Sequence, residues 1–218
     1  MISIACSGFP VPVSRYFREL KAVEVSDTEL GIPGEGTLRR WLREAPEDFL
    51  FTALAPKQIA EAGFVLTPEV EAAVVAISEF AKQLNSRAVV FSAPSEFVAS
   101  AKTRKTLTTF IKHVVSHVPA PVLDCPGWSH EDLVALVGKA KIGVAFDPLI
   151  EQPKRLAATT YLRLPGPSGY RSRYDASSLD RVVSYLQSAK SKQIYVAFRN
   201  IDRFENARYV MGQLGIEA

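Results

Sequence analysis

An α/β fold closed into a barrel of eight strand–helix units is what this sequence predicts, and three observations predict it. Eight short apolar runs recur along the 218 residues, most ending on a polar residue where a strand would meet its loop. Segments of helical periodicity separate most of these runs. No tandem short repeat, low-complexity tract or linker breaks the alternation. Strand-then-helix alternation argues for a parallel sheet covered by helices, and eight units suggest a TIM-type (β/α)8 barrel. Such barrels typically have roughly 250 residues, so this one is compact. The shortening falls between Asp147 and Thr160, where too few residues remain for a full covering helix. The expectation is therefore one domain over residues 1–218, with a shortened or missing helix between strands six and seven.

In order, the predicted strands are ISIACS from Ile2, AVEVSD from Ala22, FLFTAL from Phe49, AVVFS from Ala88, PVLDC from Pro121, IGVAFD from Ile142, TYLRL from Thr160 and IYVAFR from Ile194. The predicted helices fit the gaps. TLRRWLREAP opens on Thr37 as a cap, sets Leu38, Trp41 and Leu42 on one face, and stops at Pro46. Thr67 followed by Pro68 and Glu69 is a strong helix start, with proline at the first helical position. AKTRKTLTTFIKHVVSHV, from Ala101, places Leu107, Phe110, Ile111, Val114 and Val115 on one stripe. Ser129 with Asp132 resembles a capping box, and Asp175 or Ser177 begins the helix through SLDRVVSYLQSA.

A hydrophobic share of 47% supplies a large core, while 26 basic against 23 acidic side chains leave a net charge of only +3. That charge permits anionic partners without demanding them. Cys6 and Cys125 fall on strands one and five, an arrangement that disfavours a disulfide and suits a reducing cytoplasm. No run approaches the roughly 20 apolar residues a membrane helix needs. A cytoplasmic protein that does not engage membranes is the expectation.

Alternate residues of a strand point to opposite faces. Helices cover the outside of a barrel, so the strongly apolar set on each strand should face out and the small or polar set should face the axis. This sends Ser3, Ala5 and Ser7 inward on strand one, and Glu24 and Ser26 on strand two. Strand three is apolar on both faces; one of its two settings puts Thr52 inside. On later strands the rule sends Ser92, Asp124, Asp147, Arg163 and Arg199 inward. Buried charges of this kind must pair or sit near solvent at the mouth. Glu24 would meet one of the arginines across small residues of strand one. Two readings of that contact stand open: a structural ion pair filling the interior, or a carboxylate and guanidinium that together bind and polarise a substrate.

The loops after strands seven and eight carry Gly166, Gly169, Arg171 and Arg173, then Arg199, Asn200 and Arg203. Phosphate sites in such barrels are often built from these two loops, and arginine grips phosphate through paired hydrogen bonds. Other chemistry is thin. His113 and His117 have metal-like spacing but sit within the fourth helix, and His130 begins another helix. Glu24, Asp124 and Asp147 are oxygen ligands of the type magnesium uses, yet without further support the reading assigns no metal. It assigns no cofactor either, since no Walker loop, dinucleotide fingerprint or nucleophile elbow occurs. Cys125 reads as a packed, inert thiol, and Trp41 and Trp128 as core anchors.

Seven strings in order, CSGF at Cys6, AVEVSDT at Ala22, TLRRWLREAPEDFLFTALAP at Thr37, VVFSAP at Val89, CPGW at Cys125, YLRLPG at Tyr161 and YVAFRN at Tyr195, carry a resemblance over nearly the whole chain. They are similar to the motifs of the YecE-like family, known only as domain of unknown function 72. The resemblance implies a TIM-type barrel with no settled activity, for which a nucleic-acid role has been suggested by barrel similarity. Glu24, Thr28, Trp41, Trp128, Asp147, Arg163, Gly166 and Asn200 keep the family's residue type. The departures are Leu54 where members carry lysine, Ala60-Glu61 for threonine-histidine, Ser92 for glutamine, Val122 and Asp124 for glutamate and arginine, and Pro165 for histidine. Most proton-transfer groups of the pattern are thus replaced.

Two functions follow from this reading. In the first, the barrel binds or processes a small phosphorylated or otherwise anionic substrate at its carboxyl-end mouth. Glu24 is then acid or base, with Asp124 as the second carboxylate, and Arg163 orients the substrate. Ser7, Asp147, Gly166, Arg171, Arg199 and Asn200 line the substrate site. In the second, the protein is a non-catalytic module for nucleic acid or a protein partner, using Arg39, Arg40 and Arg43 with Lys102, Arg104 and Lys105.

Overall fold

The structure, a computed structural model, describes residues 1–217. Its strands are β1 (Ile2–Ser7), β2 (Ala22–Val25), β3 (Leu50–Leu54), β4 (Val89–Ser92), β5 (Pro121–Asp124), β6 (Gly143–Phe146), β7 (Thr159–Leu164) and β8 (Gln193–Phe198). They form a closed barrel in chain order, β1 to β8, and the registers recorded between neighbours are parallel. Each of the eight apolar runs is a strand. The helices are α1 (Val13–Glu19), α2 (Glu35–Glu44), α3 (Lys57–Glu61), α4 (Pro68–Gln83), α5 (Ala101–His117), α6 (His130–Val137), α7 (Ala176–Ser188) and α8 (Arg203–Gln213). As expected, no helix occupies residues 147–158. Asp147 folds that connection back as a turn: its Oδ1 accepts the Leu149 N–H at 2.8 Å and its carbonyl accepts those of Ile150 and Glu151. No helix is long and apolar enough to cross a membrane.

Two compact units make up the chain. The first holds Met1–Glu24, Arg43–Leu50 and Phe146 onward. Here β1 runs between β2 and β8, with Ala5 opposite both Ala22 and Ala197. Outside β1 the fully buried Tyr16 of α1 acts as a peg: its hydroxyl accepts the Cys6 N–H at 2.9 Å and donates to the Ala22 carbonyl at 2.8 Å. Phe9, Phe17, Phe49 and Phe204 pack edge-on or tilted around it. A buried tyrosine hydroxyl left unsatisfied costs stability, and here the Cys6 amide and the Ala22 carbonyl satisfy it.

The second unit holds Val25–Leu42 and Phe51–Ala145. Its core gathers Phe64, Phe91 and Phe110 at ring separations of 5.1–5.2 Å, with Phe97 stacked on Trp128. The helix starts follow their capping residues. Thr67 accepts the Val70 N–H ahead of Pro68, and Ser129 accepts that of Asp132. The Asp132 carboxylate takes the Ser129 hydroxyl, so the box closes between side chains. α5 opens on a box of Ser100 with Thr103 that the sequence reading did not single out. α2 begins at Glu35 rather than at Thr37; the Gly34 carbonyl accepts the Thr37 and Leu38 N–H groups, and Glu35 pairs with Arg39 at 2.9 Å along the surface. In the first unit Asp175, not Ser177, caps α7.

Candidate functional site

Glu24 of β2 meets Tyr161 and Arg163 of β7, although β8 and β1 separate those strands. Side chains reach over two intervening strands only through the barrel interior, so these three face the axis, as strand alternation requires. The row between them is small: Arg163 is level with Ala197, Ala197 with Ala5, and Ala5 with Ala22. Three alanines leave the volume that two long polar side chains and a phenol fill. Lower on the same faces Gln193 donates to Ser3 at 3.1 Å, and Tyr161 lies beside Tyr195 with ring centres 5.9 Å apart.

The cluster is closely bonded. Glu24 Oε1 accepts from Arg163 Nη2 at 3.2 Å; Oε2 accepts from the Tyr161 hydroxyl at 3.0 Å and lies 3.2 Å from Arg163 Nε. Glu24 is 0% exposed and Arg163 3%. A buried carboxylate is tolerable because a guanidinium and a phenol meet its lone pairs; either charge alone would carry a desolvation penalty of several kcal/mol. Tyr161 was not among the residues expected at the site. The signal was present: it stands two positions before Arg163, on the same face. Ser7 ends β1 opposite Glu24 in register, and the next amide, Gly8 N–H, donates to the Glu24 carbonyl at 2.7 Å. The Ser7 hydroxyl is buried and has no hydrogen-bond partner among the described residues.

The loops after β7 and β8 are braced mainly on themselves. Gly166, at φ +102°, donates its N–H to the Tyr174 hydroxyl at 2.8 Å. Burial, with the nearby Asp147 carboxylate, raises the pKa of that phenol, so it stays protonated. Asn200 is 0% exposed, and its amide donates to the Ser172 carbonyl at 3.4 Å while its oxygen accepts from Asn206 at 3.1 Å. Asn200 thus ties the β7–α7 loop to α8. Arg171 is exposed and folds onto its neighbour Tyr170, and Arg173 is neutralised by Asp202 at 2.6 Å. Arg199 is partly exposed, and its N–H donates to the Leu164 carbonyl.

Asp124 belongs to the second unit, where it accepts the Ser92 hydroxyl at 2.8 Å across β4 and β5. Asp147 serves its own turn. His113 and His117 stack on each other at 4.4 Å along α5, and no group of three or more His, Cys, Asp or Glu forms a metal-holding cluster among the described residues. Arg39 and Arg43 pair with Glu35 and Glu44, and Arg104 with Asp132. Both cysteines are free and buried.

Burial pushes the Cys6 thiol from its ordinary 9.0 up to about 12, and burial with the Asp124 charge beside it raises Cys125 as well. Neither thiol should react with a disulfide reagent at pH 8 in the native protein, and both should react once it is denatured. Rapid labelling of native protein would contradict the burial. The linkage sign follows: native Cys6 keeps its proton where the unfolded chain loses it, so this contribution to stability is full below pH 9 and declines as pH rises toward about 12.

Comparison with known proteins adds the family. The model for "Protein of unknown function DUF72" matches residues 12–218. The chain belongs to the DUF72 family. This agrees with the YecE-like motifs read along the sequence. No curated protein matches the chain. Among solved structures, a DUF72 family protein from Enterococcus faecalis V583 matches with TM-score 0.79 and 16% identity over 100% of this chain and 97% of that one. A DUF72 protein from Thermotoga maritima MSB8 matches with TM-score 0.75 and 17% identity over 99% of each. Outside DUF72, a family 2 AP endonuclease from Brucella melitensis matches with TM-score 0.64 and 13% identity, over 100% of this chain and 99% of that one. At these identities the likeness shows the fold, a TIM-type barrel.

Proposed function

We propose that this DUF72 barrel binds a small anionic ligand at the carboxyl ends of β1, β2 and β7, with Arg163 as its charge partner. Glu24, itself held by the Tyr161 hydroxyl, fixes the guanidinium, and the Ser7 hydroxyl donates to the ligand. The observation that carries this reading is Ser7. A hydroxyl only 7% exposed, beside Glu24 in register and without a hydrogen-bond partner among the described residues, costs stability of about 1–3 kcal/mol unless something else satisfies it. Such a group at the strand ends of a barrel, next to a buried ion pair, suits a ligand better than it suits the empty fold. Each Glu24 oxygen already accepts one hydrogen bond, from Arg163 or Tyr161, which favours the ionised carboxylate as the holder of Arg163. Asp124, bonded to Ser92 in the other unit, has no part in this reading. On the helix faces Arg39, Arg43 and Arg104 each share a carboxylate, and no buried unsatisfied hydroxyl marks a site beside Arg40, Lys102 or Lys105 among the described residues, so nucleic-acid binding there has less support.

Thermal unfolding in sulfate, phosphate or citrate at constant ionic strength tests the proposal. The wild type should gain stability, by about 2.7 kcal/mol at a hundredfold excess over the dissociation constant. Ser7→Ala should leave the ligand-free melting temperature equal or higher and lose the anion response. A fall in the ligand-free value for Ser7→Ala, or no anion response in the wild type, defeats the reading.

A further inference from the structure

The missing helix between β6 and β7 leaves a second feature, inside the first unit and separate from the barrel interior. A cavity of about 670 Å³ opens between residues 152–156 and the end of α7. Lys154, Arg155 and Lys190 line it, all exposed, and none forms an ion pair or side-chain hydrogen bond among the described residues. No acidic side chain is among the described residues that line it. Pro153, Leu156, Ala189 and the ring of Tyr185 supply apolar wall, and Gln152 and Ser188 add neutral polar groups. Arg15, Arg173 and Arg208 of this unit, by contrast, each sit on a carboxylate. Like charges gathered without counterions in one recess attract an anion and weaken the fold slightly in its absence.

Tyr185 adds an independent mark. Its hydroxyl is buried without a hydrogen-bond partner among the described residues, and desolvation raises its pKa, so it stays a donor. It lies in the cavity wall beside a segment that has no helix to fix it. A modest shift of residues 152–156 would present that donor to a ligand.

We propose that this groove binds a phosphorylated small molecule of nucleotide size, its phosphates on Lys154, Arg155 and Lys190 and its aromatic or apolar part against Tyr185, Pro153 and Leu156. The volume lies within the roughly 300–1,000 Å³ of small-molecule sites. A single recess, rather than a basic track, favours a small ligand over a polymer. The proposal does not depend on the anion site at the barrel mouth.

Isothermal titration of the full chain with ATP, with adenosine and with inorganic tripolyphosphate tests it. ATP should bind, tripolyphosphate more weakly, and adenosine least. The triple variant Lys154→Gln/Arg155→Gln/Lys190→Gln should weaken ATP at least tenfold while keeping the sulfate and citrate response assigned to the mouth. Lys190→Gln alone, an exposed single change, should weaken ATP about threefold and guards against misfolding of the triple variant. Absence of ATP binding in the wild type overturns the proposal. So does ATP binding that survives the groove variants, or that Ser7→Ala alone removes. Binding of a single-stranded oligonucleotide in place of ATP, lost in the triple variant, also overturns it in favour of a polymer.

Discussion

Glu24→Ala should destabilise the protein by about 3–5 kcal/mol, the range for removing one member of a buried charge pair. The change takes the neutralising carboxylate from Arg163 and the acceptor from the Tyr161 hydroxyl, in an interior where Arg163 is 3% exposed. Chemical denaturation should show the loss as a lower midpoint with the slope unchanged. Glu24→Gln keeps an oxygen for Tyr161 and should lose less. The double variant Glu24→Met/Arg163→Met should recover much of the loss, because two apolar side chains carry no desolvation penalty and members of one network couple. If the single losses simply add in the double variant, the two residues do not act as a pair.

The second large effect is expected at Gly166. A methyl group there would press on the Gly169 carbonyl oxygen, the Ser172 hydroxyl and the Asn200 side chain, at a φ of +102° that other residues rarely adopt. Strain and overpacking together should make Gly166→Ala cost about 2–4 kcal/mol, a fall in melting temperature on the order of 10 °C for a chain of this size. Gly169→Ala is the control. It shares a positive φ, +86°, but an added methyl there meets nothing within 4 Å. Its loss should be the smaller of the two, and equal losses would show that backbone conformation alone sets the requirement.

What the sequence disclosed and what it withheld divide along physical lines. Strand positions and the inward set on β1, β2 and β7 were legible because a helix-covered barrel punishes a one-residue slip on every strand. The same alternation placed Glu24 and Arg163 on a common axis. Tyr161 was equally legible in principle, two positions before Arg163, but attention to charge passed over a phenol. The loops were less open to reading. Arg173 finds Asp202 29 residues later, and Arg171 turns onto Tyr170. A formal charge announces a guanidinium, never its counterion. Asn200 was legible as a polar group at a strand end, but not its partner Asn206, which lies on the following helix. Thr37 is not the cap, since the first turn already closes on the Gly34 carbonyl. The cationic groove went unread because it arises from chain that is absent, and a shortened connection records only that cover is lacking, not which side chains it uncovers.

The amide of Asn200 joins two connections that are sequence strangers. Whatever reshapes the stretch after β7 is therefore reported to α8, and the reverse. Transplanting either piece alone into another barrel would strand it without its buttress.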